Sequence, residues 1–406
     1  MSTTDAFVYD PLSADVQSDP YPSYAVLRSE AAAYHVESID AYAVSRHADV
    51  RRVMHDHRVF SSEAMAALVA RPAEYASDAG LDADGEASDR SLIGTDGETH
   101  ARLRTIVNRG FTPRRIGAME AEVRELAREF ATRLIKPGCG DLQAEFSVPF
   151  PTTVIAALLG VDPDRRADFR RWSEHMVFAV FEPATPAQQA EIARNAEQMG
   201  EWLDEVVAAR EGRFGDDLIS VLLRAELEGG ALTHEELRGF VFTLLVAGSI
   251  TTAYLIGSAV EHLVDDPELE ARARRDPEVI GRLVEETLRF DSPVQLMFRT
   301  ATEPVDIAGV TIPRGATVIP VIGSANRDES VFPHADRFDP DRDTTEHLAF
   351  GHGPHFCLGA ALARLEARIA IEELLAHAPR VARAGEVERV TSVVFRGPTT
   401  LPLQFA

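Results

Sequence analysis

A mainly α-helical fold with a small β region is what this sequence predicts, and three observations predict it. Long runs carry apolar residues at spacings of three and four, one stretch mixes β-branched residues with Gly and Pro breaks, and no repeat period or long Gly/Ser or Pro linker divides the chain. One domain spanning residues 1–406 is the simplest reading. At 406 residues, 45% hydrophobic and 26% charged, the chain can bury a substantial core and enclose a ligand. Neither a disulfide-stapled miniprotein nor a disordered chain has this composition.

Taken in order, the start MSTTDAFVYDPLSADVQSDPYPS has no basic n-region and no apolar h-region. With only Cys139 and Cys357 present, the expected compartment is a reducing cytoplasm. Lys plus Arg 41 against Asp plus Glu 65 leaves a net charge of −24, which repels phosphate backbones and anionic membrane surfaces, so neither nucleic acid nor membrane is an expected partner. Residues 71–90 are rich in Ala, Asp and Gly and read either as a mobile lid or as an ordinary surface loop. Ile116 to Leu134 and Pro186 to Arg210 read as amphipathic helices. Glu235 to Leu263 is a third, and within it Gly239 to Val260 has no charged residue and is long enough for an apolar bilayer core of about 30 Å. It stands alone and lacks flanking Lys/Arg anchors, so a buried core helix is the reading adopted. Pro277 to Phe290 is a fourth helix. Val305 to Ile322 reads as strands joined by turns, which makes the β portion mostly C-terminal. Asn326 to Thr345 contains Pro333 and Pro340 and cannot be one regular helix. Leu358 to Ala376 closes the series, with Leu358, Leu362, Leu365 and Ile369 on one face.

The sharpest chemical signal is the run from Phe350 to Gly359, FGHGPHFCLG, which delivers Cys357 to a helix start. Unpaired N–H groups and the positive end of the helix dipole there favour a thiolate, which predicts a lowered thiol pKa. Gly351, Gly353 and Gly359 permit unusual dihedrals and the close approach of a bulky planar group. Taken alone, Cys357 also reads as a small buried apolar residue. With His352 and His355 it makes an incomplete zinc set, short of the usual four ligands.

Phe350, Gly353, Cys357 and Gly359 together spell F-x-x-G-x-x-x-C-x-G, and here the chain resembles the cytochrome P450 family of haem-thiolate enzymes. Further motifs follow in the family's order over nearly the whole chain. Asp96 to Arg104, DGETHARLR, is similar to the helix in which His100 and Arg104 hold a haem propionate. Arg299, in FRTA, matches the arginine on the other propionate, with His355 supporting it. Glu286-Thr287-Leu288-Arg289 resembles the E-x-x-R signature, and Asp336-Arg337-Phe338 the segment whose arginine completes a buried Glu-Arg-Arg network. Ala247 to Thr252, AGSITT, resembles A-G-x-[D/E]-T-T on the oxygen-binding face. The resemblance implies the cytochrome P450 fold, with haem b (iron protoporphyrin IX) buried between the uncharged helix and the cysteine loop. It implies Cys357 as the iron's axial ligand, cofactor contacts from Phe350, Gly351, Gly359, Ala247 and Gly248, and proton delivery by Thr251 and Thr252. Ile250 departs from the pattern by standing where the family carries an acid, and no other Asp or Glu lies between Gly239 and Val260.

On that resemblance the expected activity is monooxygenation of a small to medium hydrophobic substrate with O2, by hydroxylation or oxidative dealkylation. Electrons are expected from a ferredoxin and its NAD(P)H-dependent reductase. The ferredoxin is expected to dock on a basic patch formed by Arg102, Arg104, Arg109, Arg114 and Arg115 with Arg364 and Arg368. The substrate pocket is expected to draw on the segment after Phe60 and on Phe178, Phe181, Leu245, Ile250, Val294, Leu296, Met297, Val394 and Phe395. The missing acid leaves a peroxide-driven peroxygenase open, and a non-enzymatic haem sensor is the alternative of a different class.

Overall fold

The structure is a computed structural model that describes residues 7–65, 92–181, 185–210, 212–227 and 232–406. The stretch read as a lid, 71–90, lies outside the described residues. The helices are α1 (Ala14–Ser18), α2 (Tyr21–Glu30), α3 (His47–His55), α4 (Gly97–Asn108), α5 (Pro113–Ala118), α6 (Glu120–Ile135), α7 (Pro149–Leu159), α8 (Arg166–Phe181), α9 (Pro186–Arg210), α10 (Leu218–Leu227), α11 (His234–Asp265), α12 (Pro267–Arg275), α13 (Glu278–Phe290), α14 (Ile322–Ala325) and α15 (Ala360–His377). The strands are β1 (Ala33–Val36), β2 (Ala41–Val44), β3 (Phe60–Ser61), β4 (Cys139–Asp141), β5 (Arg299–Ala301), β6 (Val305–Ile307), β7 (Val310–Ile312), β8 (Thr317–Pro320), β9 (Val381–Arg383), β10 (Glu388–Arg389), β11 (Pro398–Thr400) and β12 (Pro402–Phe405). The fold is mainly α with small sheets, as expected.

One expectation needs correction. The run Ile116 to Leu134 is two helices, because the Met119 N–H turns back onto the Ile116 and Gly117 carbonyls before α6 begins. The β structure is mostly C-terminal, with eight of the twelve strands among the described residues lying beyond residue 298, yet the largest sheet runs β1-β2-β8-β5-β3, and three of its five strands come from the first 61 residues. Within it β2 pairs parallel with β8, aligning Tyr42 with Val318, while β1, β3 and β5 pair antiparallel with their neighbours. Strands of two to four residues are too short for an alternation pattern to show.

Helix α11 is the axis. A capping box starts it: Thr233 Oγ1 accepts the Glu236 N–H at 3.1 Å, and Glu236 Oε2 accepts the Thr233 N–H at 2.8 Å. By length and composition it could cross a membrane, yet every residue from Thr252 to Glu261 is buried, and α7, α8, α13 and α15 pack against it. Over Thr252 to Glu261 the apolar helix thus finds protein on all sides, while the stretch before it is only partly covered. Gly257 marks the tightest approach, since a Cβ there would sit 1.8 Å from Gln143 Nε2 and 2.6 Å from Pro398 Cγ. Phe130, Phe146 and Phe150 pack beside it with ring centroids 5.5–6.3 Å apart. Burying each such side chain contributes about 1.5–3 kcal/mol.

Candidate active site

The cysteine loop is a backbone-closed turn. The Cys357 N–H donates to Phe350 O at 2.8 Å, the Phe356 N–H to Gly353 O at 3.0 Å and the Gly351 N–H to Leu348 O at 2.8 Å. Gly351 and Gly353 both have φ +75°, where a side chain is strained, and a Cβ on Gly353 would lie 2.9 Å from the His55 Cα. Gly359 has an ordinary φ of −84°, and its Cβ position faces open space, so neither backbone conformation nor contact with the described residues demands a glycine there. Phe350 is buried at the base of the loop, whereas Phe356 and Cys357 are exposed. The thiol differs from expectation. Although the residue is open at the surface, the groups crowded around its sulfur desolvate the charged form and push the thiol up, against the pull of the Gly359 and Ala360 N–H groups and of the Arg104 and Arg364 charges. The local donors moderate the shift without reversing it; a coordinating cation is what takes the proton from such a sulfur.

A cluster of basic groups gathers around the loop. The His100 and His355 rings lie against each other, centroids 4.1 Å apart and planes tilted by 38°. His355 Nε2 lies 3.2 Å from Asp96 Oδ1 and 3.0 Å from Ser62 Oγ. Burial alone would raise Asp96, but hydrogen bonds from His355, Ser61 and the Ser62 N–H hold it well below the usual carboxylate range. Burial, then the neighbouring His355 and Arg104, push His100 down to about 4, and its Nε2 is buried without a hydrogen-bond partner among the described residues. Arg299 is 3% exposed, donates only to the Phe298 carbonyl at 2.8 Å among the described residues, and is pushed down to about 10 by burial. Arg104 Nη2 donates to the Phe356 carbonyl at 2.7 Å. With the Arg299 charge and His100 Nε2 both lacking a carboxylate partner among the described residues, the cluster fits a ligand bearing carboxylates. An unpartnered imidazole nitrogen and a buried, unpaired guanidinium beside an accessible thiol are the observations by which these residues fit a haem.

Around the uncharged helix, Ala247 is exposed and Gly248, Ile250 and Thr251 are half-buried. Gly248 has a packing duty, since a Cβ there would meet Ile155 Cδ1 at 2.8 Å. Thr251 Oγ1 donates to the Ala247 carbonyl at 2.6 Å, while Thr252 is buried.

The E-x-x-R network forms, with a different third arginine. Arg289 binds Glu286 through two bonds of 2.7 Å, both side chains wholly buried, and its Nη1 reaches the Asn326 and Ala335 carbonyls at 2.9 Å. Arg337 contributes only its backbone: its carbonyl accepts Arg289 Nη2 at 3.1 Å, and its residue is exposed. Arg342 takes the place expected for Arg337, with Nε 3.4 Å from Glu286 Oε1 and further bonds to the Pro333 and His334 carbonyls. A segment without regular structure leaves carbonyls unpaired, and these guanidiniums supply the donors.

Two further expectations meet the structure differently. Leu245, Leu296 and Val394 are 0%, 2% and 9% exposed and pack within hydrophobic core, so they present little surface to a substrate. Val294, Ile250, Met297 and Phe395 are half-buried, and Val294 bridges Phe395 by antiparallel backbone pairing. Phe178 and Phe181 lie on the last turns of α8, where side chains are outside the described residues. The basic patch is also partly compensated: Arg102 pairs with Glu236, Arg364 with Glu285, and Arg368 with Glu372 and Glu120. Sequence reasoning missed these pairings and Asp96: Glu236, Glu285, Glu120 and Asp96 lie on elements remote in sequence from the arginine or histidine they meet, and only Arg368–Glu372 is a local pair at helical spacing.

Comparison with known proteins extends this picture. The family model described as Cytochrome P450 matches residues 52–377. Cytochrome P450 107B1 of Saccharopolyspora erythraea is 38% identical over 375 residues, covering 91% of this chain and 90% of that protein. The structure of CYP109Q5 from Chondromyces apiculatus superposes with a TM-score of 0.87 at 39% identity, covering 98% of both chains. That of CYP109E1 from Bacillus megaterium in complex with corticosterone superposes at 0.85 with 31% identity, over 96% of this chain and 99% of that one.

Proposed function

Because the chain belongs to the cytochrome P450 family and is an oxidoreductase of that type, we propose that its cofactor is haem b, held by Cys357, and that it monooxygenates a small to medium hydrophobic substrate. The accessible thiol beside an uncompensated basic cluster carries this reading. Phe350, Gly351 and Gly359 shape the loop that presents the sulfur. His100, Arg104, Arg299 and His355 hold the two carboxylates of the cofactor, which relieves the buried charge on Arg299 and gives His100 Nε2 a partner. Bound haem supplies the activation of dioxygen, chemistry that belongs to the cofactor. The protein excludes water and manages protons. Thr251, whose hydroxyl hydrogen now goes to Ala247 O, keeps oxygen lone pairs free to accept from a water, and with Thr252 it relays protons that no carboxylate at position 250 can supply.

Ala247, Gly248, Ile250, Val294, Met297 and Phe395 border the substrate, with Phe178 and Phe181 assigned from sequence. The corticosterone complex of a related structure supports an apolar substrate of up to steroid size. Electrons come from a cytoplasmic ferredoxin and its NAD(P)H-dependent reductase, docking on the face that carries Arg104, Arg109, Arg114 and Arg115. Ile250 in the acid's place favours one second reading, a peroxygenase that turns over with peroxide alone.

The test is the absorption spectrum of reduced holoprotein under carbon monoxide. A red-shifted Soret band typical of thiolate ligation is expected, lost in Cys357→Ser. A band unchanged in that variant would overturn the assignment. Peroxide-only turnover that ignores ferredoxin and NAD(P)H would transfer the activity to the second reading.

A further inference from the structure

One charged group at the cysteine loop has no part in the network that holds the loop or in the basic cluster: Glu285, on α13 beside Glu286. Its carboxylate receives Arg364 Nε at 2.6 Å and Nη2 at 2.9 Å, a two-point pairing with the helix that follows Cys357. Its Oε2 also lies 3.1 Å from His347 Nε2, in the segment leading into the loop. Because His347 Nδ1 accepts the Ala349 N–H at 3.2 Å, Nε2 is the ring nitrogen left to donate toward the carboxylate. So held, the Arg364 guanidinium lies over the Phe350 ring, its Cζ 4.4 Å from the centroid, and Phe350 is the residue whose carbonyl accepts the Cys357 N–H at 2.8 Å. The Arg364 charge is one of the two that act on the Cys357 sulfur.

Resting on the assignment of Cys357 as the iron's ligand, we infer that Glu285 and Arg364 form a charge-tuning pair for the bound cofactor, Glu285 being the positioning residue that fixes the Arg364 cation against Phe350. The carboxylate offsets the guanidinium at the sulfur, so the pair sets the electron density that the ligand donates. The same carboxylate ties α13 to both flanks of the loop. The side chains are 29% and 36% exposed, so either can be replaced without opening the core.

The expected signs differ between the two residues. Removing the Glu285 charge leaves the cation uncompensated and favours the more electron-rich reduced state; removing Arg364 does the reverse. The experiment is a redox titration of holoprotein at pH 8 for the parent, Glu285→Gln, Arg364→Gln and the double variant, with carbon monoxide spectra alongside. Glu285→Gln should shift the one-electron equilibrium a few-fold toward reduction and Arg364→Gln a few-fold toward oxidation, and the double variant should return between them, all four keeping the thiolate-type band. Should one single variant not retain haem, the other single and the double differ by one charge and carry the same comparison. Shifts of the same sign, or none, would show a merely structural clamp and overturn the pair. A parent spectrum without the thiolate band would instead overturn the assignment of Cys357, a distinguishable failure.

Discussion

Arg299 shows how a single buried residue reports on a missing partner. A guanidinium 3% exposed and without a carboxylate at ion-pair distance among the described residues is costly in the free chain, and its lowered pKa is the sign of that cost. Arg299→Leu is therefore expected to raise or preserve the melting temperature of the haem-free protein while weakening haem retention by about ten- to a hundredfold, the worth of a lost charge-assisted hydrogen bond. Haem transfer to a scavenger and melting of the apoprotein read the two effects separately; a parallel loss of both would mean that Arg299 is simply part of the core. Glu366 is the opposite case, a buried carboxyl whose Oε2 lacks a partner among the described residues and whose pKa burial pushes well up. A folded pKa above the unfolded one contributes stability that is present below the unfolded value and lost as pH rises. Glu366→Gln should thus raise the melting temperature at pH 8, by a margin that shrinks toward pH 4.

At the scale of elements, α11 and the cysteine loop obey different rules. The helix is held by closeness: Gly257 lets α11 approach the π-helical turn Gln143–Ser147, and Gly257→Ala must displace Gln143 or Pro398. Overpacking of this kind costs about 1–3 kcal/mol, which a denaturation midpoint would show; an unchanged midpoint would mean that Gln143 moves freely. The loop is held by hydrogen bonds, three of them closing its own turn and the Glu286–Arg289–Arg342 network pinning the irregular segment that precedes it. This division explains why the helices were legible from apolar spacing and the loop from its glycines, whereas the choice of Arg342 over Arg337 was not. Position 337 matches the motif, yet its side chain points outward, and the identity of the residue that reaches Glu286 is settled by how the coil between them turns.

Over the whole molecule, acid is the expected weakness. Burial would raise Glu285, but His347 and Arg364 bring it down to about 2, and His262, Arg327 and Arg396 likewise outweigh burial at Asp291 and hold it well below the usual range. Both folded values are depressed, so the stability that these groups add is complete above the ordinary carboxylate pKa and is lost as pH falls through the folded values. Melting temperature measured downward from pH 5 should fall steadily, and Glu285→Gln should flatten the curve between about pH 4.5 and 2. A profile identical to the parent's would show that the ion pair is worth nothing to folding. Charge is also organised at this scale: with a net −24, three of the seven patch arginines pair with carboxylates among the described residues, so that face is less basic than its sequence implies.

The sequence by itself determined the helical class, the cysteine loop with its glycine turns, the buried Glu286–Arg289 pair and the absence of an acid at position 250. These are properties of residues near one another along the chain, where backbone dihedrals and helical periodicity act directly. Only the tertiary structure decided that Arg342 completes the network, that Leu245, Leu296 and Val394 are core, that N-terminal strands build the main sheet, and that Glu285 sits against Arg364. Each of those depends on which distant groups meet, and burial and ion pairing between remote segments leave no periodic trace in a single chain.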